Sequence, residues 1–537
     1  MEDKKEVSEN EVAKTSIDNI EKKKQKVREW FNDRSNFYLF GILIFAFLIR
    51  IYYFFLTKNQ AHWWDTLAYA AIAKESVYHL WTGTHFIVSE SIIRAPLLPF
   101  LWSLFMRLNL SETWVLIFLE YLPSLASVYL IYLIGKEMYN KKVGLISAFI
   151  ASILWINIFY TARIMTDIPS SFLVLLSIYL FFKSYEGLNL RYFSFSIFLL
   201  SLSILMRNSS FLVGATYIIF LLFVKKHKVL NQKNFWIGGI IGITPLLFFF
   251  ISNFLTQGNF FPALGSYASS AAAKTSYAYY IIDQFFPHLF TNIITNQYPA
   301  ISATLKGNPF SIFGNILLIL FIFGLIISIF DLFLIKGYII KLKRTKSHIF
   351  SLLLLVISLA FFIFYIKAAE DRYLLIILTS LLSFISIGLV YIYDLIKKYN
   401  KGIAIAFLFI ILILSAYSQY SYGHPIIESR ISSYYNLKQA FLWVNENTPE
   451  NAVILGDGID PFVIYYGHRR FEHWNFSDIE DTLRKSDYIV VAAWEHQGQQ
   501  SMELINGNLS TRLTLEQVFF FDENQKQVSA MIYKIKK

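Results

Sequence analysis

The chain has 537 residues, 55% of them hydrophobic and only 16% charged, whereas ordinary soluble domains run near about a quarter charged. It carries no cysteine, which excludes disulfides, thiolate nucleophiles and cysteine-ligated metal centres. A net charge of +11 would suggest nucleic acid in a soluble protein, but the clustered Lys and Arg border apolar segments. They orient a chain in a membrane, and no nucleic-acid partner is expected.

The first apolar run, Phe37 to Leu56, follows the basic stretch EKKKQKVREW. It is too long for a signal-peptide core and no small-residue cleavage site follows, so it reads as an uncleaved first span. Residues 1–36 are a charged cytoplasmic tail. Further runs at 112–134, 143–163, 168–185, 192–206, 209–224, 235–253, 311–335, 349–366, 373–394 and 402–419 bring the expected total to about eleven, each near the length of roughly 20 residues that crosses a bilayer.

Loop charge fixes the sidedness. With the N-terminus inside, the inner loops read GKEMYNKK, KSYEGLNLR, KKHKVLNQK, KGYIIKLKRTK and KKYNK, all basic as inner loops should be. The outer segments are then 57–111, a turn near Thr166, the turn RNSS, a large loop at 254–310, KAAEDR and everything after about residue 420. The alternation holds if RAPLLPFLWSLFMRL, with its two prolines, lies along the outer interface and does not cross.

The remainder, 425–537, changes character. NAVILGDG and SDYIVVAAW have buried-strand patterns, SYYNLKQAFLWVNEN and SDIEDTLRKS are amphipathic helices, and QVFFFDENQKQVSAMIYKI reads as a hairpin. GDG at 456–458 lacks the GxGxxG spacing of a dinucleotide site. The expected fold class is a polytopic α-helical membrane protein. It has about eleven spans, interfacial helices in the first outer loop and a small C-terminal extracytoplasmic α/β domain. Residues 37–424 form its transmembrane domain.

Charge near a membrane is costly unless paired or functional. On the outer face it recurs at span ends, as Asp65, Arg94, Arg163, Asp167, Arg207, Glu370, Asp371 and Arg372. Such a set suits a reaction in which a phosphate leaves and a hydroxyl attacks. Arginine's planar fork grips phosphate oxygens at two points, and a carboxylate can take the hydroxyl proton. A lipid-borne phosphate would sit at this level.

The succession of HWWDTLAY after the first span, RAPLLP, RIMTDIPSSF and EDRYLL before a late span resembles the C-type integral-membrane glycosyltransferases. It is most similar to the branch of protein O-mannosyltransferases and of the aminoarabinose transferases that modify lipid A. The resemblance implies a sugar taken from a polyprenyl- or dolichyl-phosphate carrier, mannose or another hexose or pentose. The acceptor hydroxyl would be on a protein, glycan or lipid, transfer would be inverting, and no nucleotide cofactor is implied. It implies Asp65 as catalytic base and Asp167 as an acid shaping the acceptor site or supporting the first. It implies Arg207 and Arg372 near the lipid phosphate, with Arg94 a further candidate. Trp64, Tyr69 and Glu370 are candidates for the sugar site.

Plainer readings stand beside these. Asp65 could be a solvated loop acid, and Asp167 a helix N-cap ahead of Pro169. The arginines could anchor span ends or pair with Glu370 and Asp371. Trp63, Trp64 and Tyr69 could form an interfacial belt. His62, His85 and His288 show no metal-ligand spacing. WWD also begins the WWDYG motif of oligosaccharyltransferases, but there it lies after the last span, and here Thr-Leu follows. With one acid in Asp167-Ile168-Pro169 in place of a metal-holding acidic pair, no catalytic metal is expected. The competing class is a secondary transporter, against which stands the lack of paired broken helices in matching halves. Composition leans toward a prokaryotic plasma membrane, or the endoplasmic reticulum in a eukaryote.

Overall fold

The computed structural model describes residues 33–78, 94–260, 315–334, 342–366, 371–493, 498–507, 509–521 and 527–537. Most of the charged tail and of the large outer loop, together with Glu370, lie outside these residues. Each of the expected spans coincides with a helix. Among the described residues nine helices are long and apolar enough to cross a bilayer. A further crossing is the pair Lys141–Ile153 and Trp155–Thr161, bent by 54°. Leu190–Met206 is a shorter apolar helix of 17 residues, so the described residues hold nine or ten spans where about eleven were expected.

Neither Pro nor Gly causes the bend. Leu154 adopts an extended conformation (ψ 114), which frees the Trp155 N–H from its helical partner. That N–H donates to Oε1 of Gln419 at 3.0 Å, so a buried side chain from another helix satisfies the donor that lipid could not. Polar groups hold the first span in the same way. Arg50 is buried and donates to Ser124 Oγ at 2.8 Å and to the carbonyls of Ala46 and Ser152. Helices Asn315–Leu334 and Leu378–Tyr399 touch at Gly324 and Gly388, where a Cβ on either would run into the partner's backbone carbonyl.

The basic loops gather at one end of the bundle. Glu137 pairs with Lys183 and Lys343, both at 2.5 Å; Glu186 pairs with Lys346 at 2.9 Å and Asp394 with Lys142 at 2.6 Å. These are largely exposed pairs, each of little energetic worth. They do show that the loops grouped by charge in the sequence are neighbours in space. At the far end, RAPLLPFLWSLFMRL forms the short helix Leu97–Arg107, packed on helix Trp64–Tyr78.

Residues 453–535 build a five-stranded sheet from β1 (Val453–Gly456), β2 (Arg470–His473), β3 (Tyr488–Ala492), β4 (Leu513–Phe520) and β5 (Val528–Ile535). The strand order is β2-β1-β3-β5-β4, parallel across β2, β1 and β3 and antiparallel at β5. The expected strands, helices and paired hairpin strands are present; β2 and helix Gly498–Asn506 are additional to them. The expected boundary at 425 falls inside helix Lys401–Ser429, which runs through Pro425.

This sheet does not stand apart from the first loop. One hydrophobic core joins Leu67, Tyr69, Ala73 and Trp102 to Phe441, Val463, Val490 and Ile532. Hydrogen bonds seal the same junction. Lys74 Nζ donates to the Tyr465 carbonyl at 3.1 Å, the His62 N–H donates to Tyr466 Oη at 3.1 Å, and the Tyr465 hydroxyl donates to Glu112. The fold thus fixes helix Trp64–Tyr78 between the bundle and the sheet.

Candidate active site

Helix Trp64–Tyr78 starts inside the HWWD motif and carries Asp65 in its first turn, where the helix dipole favours a carboxylate. Arg94 Nη1 donates to Oδ1 of Asp65 at 3.0 Å, and Arg372 Nη1 donates to Oδ2 at 2.8 Å. Burial opposes ionisation of Asp65, but the charges of Arg372 and Arg94 outweigh it and hold the carboxyl down at about 2.

Asp167 is buried at the start of helix Asp167–Ser184 and is ion-paired with Arg207. Arg207 follows helix Leu190–Met206 in extended backbone, and its guanidinium lies 5.7 Å from the centre of the Tyr373 ring. Asp167, Arg207, Arg372 and Tyr373 line one narrow cleft with Ser170 and Ser209. Hydrogen bonds among Ser170, Ser203 and Ser210, between 2.8 and 3.1 Å, tie the surrounding helix ends together. Arg372 therefore takes part in both halves of the site. It holds Asp65 and also faces the cleft that Asp167 and Arg207 close.

Residues 93–251 match the family model described as dolichyl-phosphate-mannose-protein mannosyltransferase. Among solved structures, the chain is similar to ArnT from Cupriavidus metallidurans bound to undecaprenyl phosphate. The TM-score is 0.58 at 8% identity, covering 92% of this chain and 97% of that one. It is also similar to the Archaeoglobus fulgidus oligosaccharyltransferase tethered with an acceptor peptide (TM-score 0.56, 13% identity, 86% and 70% covered). A further match is AglB from the same organism in complex with an inhibitory peptide and a dolichol-phosphate (TM-score 0.52, 12% identity, 85% and 69% covered). This chain has the C-type glycosyltransferase fold. No curated protein matches the sequence.

Within the C-type fold, the residues singled out in the sequence fall into two groups. Asp65, Arg94 and Arg372 form one cluster, Asp167 and Arg207 the other, and the cleft joins them. Arg94 and Arg372, read as phosphate ligands, are both bonded to Asp65 here. Asp167 is the first helical residue and not the N-cap, a position Thr166 takes. Tyr69 is buried with the Arg94 guanidinium 4.9 Å from its ring centre, and Trp64 is half-buried against the shared core. Trp63 is engaged by cations: Arg163 lies 4.2 Å and Arg430 5.8 Å from its ring centre. Glu370 lies outside the described residues.

Several contributors escaped the sequence reading. His62 meets Glu112 at 2.7 Å, and both lie against Tyr465. Glu120 is fully buried two residues before Leu122, in the otherwise apolar run LIFLEYL. A lone acid inside a span is itself a signal, because it is expensive unless it has a task.

Proposed function

We propose that the chain is a membrane glycosyltransferase that moves a sugar from a polyprenyl-phosphate carrier to an acceptor hydroxyl. The observation that carries this reading is the sharing of Arg372 between Asp65 and the cleft lined by Arg207. One residue thereby links a prospective base to a prospective phosphate site. Support for the donor class comes from the dolichol-phosphate and undecaprenyl phosphate in the similar structures. The matching family description favours mannose as the sugar; the acceptor is a protein, a glycan or a lipid.

In the proposed step the acceptor O–H loses its proton to Asp65 as its oxygen bonds to the sugar C1 from the face opposite the phosphate. The C1–O bond to phosphate breaks, and the departing lipid phosphate keeps that electron pair. The product is inverted. Arg207 and Arg372 supply the charge that stabilises the leaving group. Both oxygens of Asp65 and the Asp167 carboxylate are met by guanidinium groups, which supports a transfer run without a divalent metal.

A carboxylate clamped by two arginines is a weak base. The donor resolves this difficulty in our reading. Its phosphate competes for Arg372, loosens that residue from Asp65, and so raises the basicity of the carboxylate once the sugar is in place. We place the site on the extracytoplasmic face because the opposite end carries the basic loops.

The deciding experiment is turnover by purified protein with a panel of polyprenyl-phosphate sugars and hydroxyl acceptors, with no ion gradient. Transfer from at least one lipid-phosphate sugar is expected. Movement of a solute that requires an ion gradient, with no sugar transferred, would mean a transporter.

A further inference from the structure

We propose that Glu120 is a positioning residue of this site: its carboxyl oxygen fixes the turn at 163–166, which delivers Arg163 to Trp63 and Asp167 to Arg207. The inference rests on the functional reading above.

Glu120 is 0% exposed, and its Oε1 accepts the Met165 N–H at 2.8 Å. Its Oε2 has no hydrogen-bond partner among the described residues. An apolar side chain would fill this place at far lower cost, since a buried polar group costs free energy wherever it is incompletely bonded. Helix packing therefore does not account for an acid here. The backbone around it is also unusual. Residues Ile117–Tyr121 form a single π-helical turn within helix Glu112–Met138. Such a turn accommodates an extra residue and redirects side chains, and it recurs at functional sites.

The atom that Glu120 holds is informative. Met165 lies two residues after Arg163 and two before Asp167. Thr166, the N-cap of the following helix, makes no side-chain capping bond. Local capping therefore does not secure the turn, and the bond from Glu120 does so from a different helix, 45 positions away in sequence. On one side of Met165, Arg163 lies 4.2 Å from the ring centre of Trp63, two residues before Asp65 in the chain. On the other side, Asp167 pairs with Arg207 at the cleft. The bond thus holds the stretch between these two contacts from outside, while Arg163 is itself anchored by its Nη1 bond to the Phe159 carbonyl at 2.7 Å.

The test compares wild type, Glu120→Ala and Glu120→Gln by hydrogen–deuterium exchange and by turnover. Gln keeps an oxygen that can accept the Met165 N–H, and Ala does not. Exchange in a peptide covering 163–167 should rise about tenfold or more in Glu120→Ala. Turnover should fall about a hundredfold, the order expected for a misplacement of about 1 Å. Glu120→Gln should stay close to wild type in both. If Glu120→Ala fails to fold, Glu120→Leu fills the volume without an acceptor and carries the same comparison. Unchanged exchange without the acceptor, a loosened turn with normal turnover, or a Gln variant as impaired as Ala would each overturn the proposal. Should wild type move no sugar from any lipid phosphate, the functional reading falls, and the exchange comparison decides the role of Glu120 in the turn by itself.

Discussion

Arg372 Nη1 lies 2.8 Å from Oδ2 of Asp65, although 307 positions separate the two residues in the chain. This pair makes the resting site self-neutralising: the cation that a phosphate would seek already has a carboxylate on it. A donor must therefore displace or share an existing partner, and most of the measurable behaviour of the site should trace to that exchange.

Asp65→Asn keeps shape and hydrogen bonding but cannot take a proton. Since a general base supplies about 10²–10⁴-fold in rate, turnover should fall by that order while polyprenyl phosphate still binds. Some stability should be lost with the charge, since the ion pairs to Arg94 and Arg372 go with it, but less than for a fully buried pair because 30% of the Asp65 side chain is accessible. Near-normal turnover in folded Asp65→Asn would move the base elsewhere.

Asp167→Asn should behave differently. Its carboxylate has no accessible side-chain surface and is paired with Arg207. Removing one partner of a buried pair leaves an uncompensated charge and costs about 3–5 kcal/mol. Denaturation monitored in detergent should show that loss, together with weaker donor use. A variant as stable as wild type would show that Arg207 finds another anion.

Arg372→Ala should weaken donor use about ten- to a hundredfold, the value of one charge-assisted bond. Arg372→Lys should rescue only in part, because the planar fork is lost. Donor kinetics unchanged in Arg372→Ala would remove the residue from the phosphate site.

The pH dependence follows from the depressed pKa of Asp65. Its folded value of about 2 lies below the ordinary carboxylate value near 3.9, so its ion pairs stabilise the protein above that range. That contribution is lost as pH falls toward about 2. Catalysis adds a second expectation. If the donor draws Arg372 away, the acid limb of kcat, which reports the donor-bound enzyme, lies at higher pH than the acid limb of kcat/KM for the donor. In Arg372→Gln the two limbs should converge. Coincident limbs in wild type would mean that the clamp stays closed through turnover.

Sidedness can be read directly in a chain without cysteine. Single cysteines at the exposed positions Asn59 and Glu450 should label from the extracytoplasmic side, and one at Lys398 only after permeabilisation. Labelling of Asn59→Cys and Lys398→Cys from the same side would break the topology.

The membrane layout was legible because hydrophobic length and loop charge are local properties that the bilayer imposes on any spanning chain. Asp65 stood out for a similar reason, as an acid among aromatics just past the first span. That Arg94 and Arg372, read as phosphate ligands, would be its partners did not stand out. Nothing near HWWD in sequence announces Arg372, and an arginine at a span end reads the same whether it awaits a phosphate or already holds a carboxylate. The docking of the sheet was hidden too. The apolar face of helix Trp64–Tyr78 fits lipid, another helix or a sheet equally well, and only the tertiary structure selects among them. Glu120 was readable in principle, yet its partner is a backbone N–H, which no sequence pattern encodes.

The core shared between the first loop and the sheet has a consequence for biosynthesis. Lys74, on the helix that bears Asp65, bonds to Tyr465, 391 residues later. Strand β5, later still, is inserted between β3 and β4, so the surface that receives the helix is incomplete until that strand emerges. During translation, insertion of the first spans leaves the helix of Asp65 without its apolar seat while the remaining spans are made. Contacts of such separation form late, since the intervening chain must first be ordered. A nascent chain paused before Leu437 would hold Arg94, Arg207 and Arg372 and still lack the residues on which the helix of Asp65 is seated. Asp65 should therefore meet Arg94 and Arg372 in their final geometry only after residues 437–467 have been made.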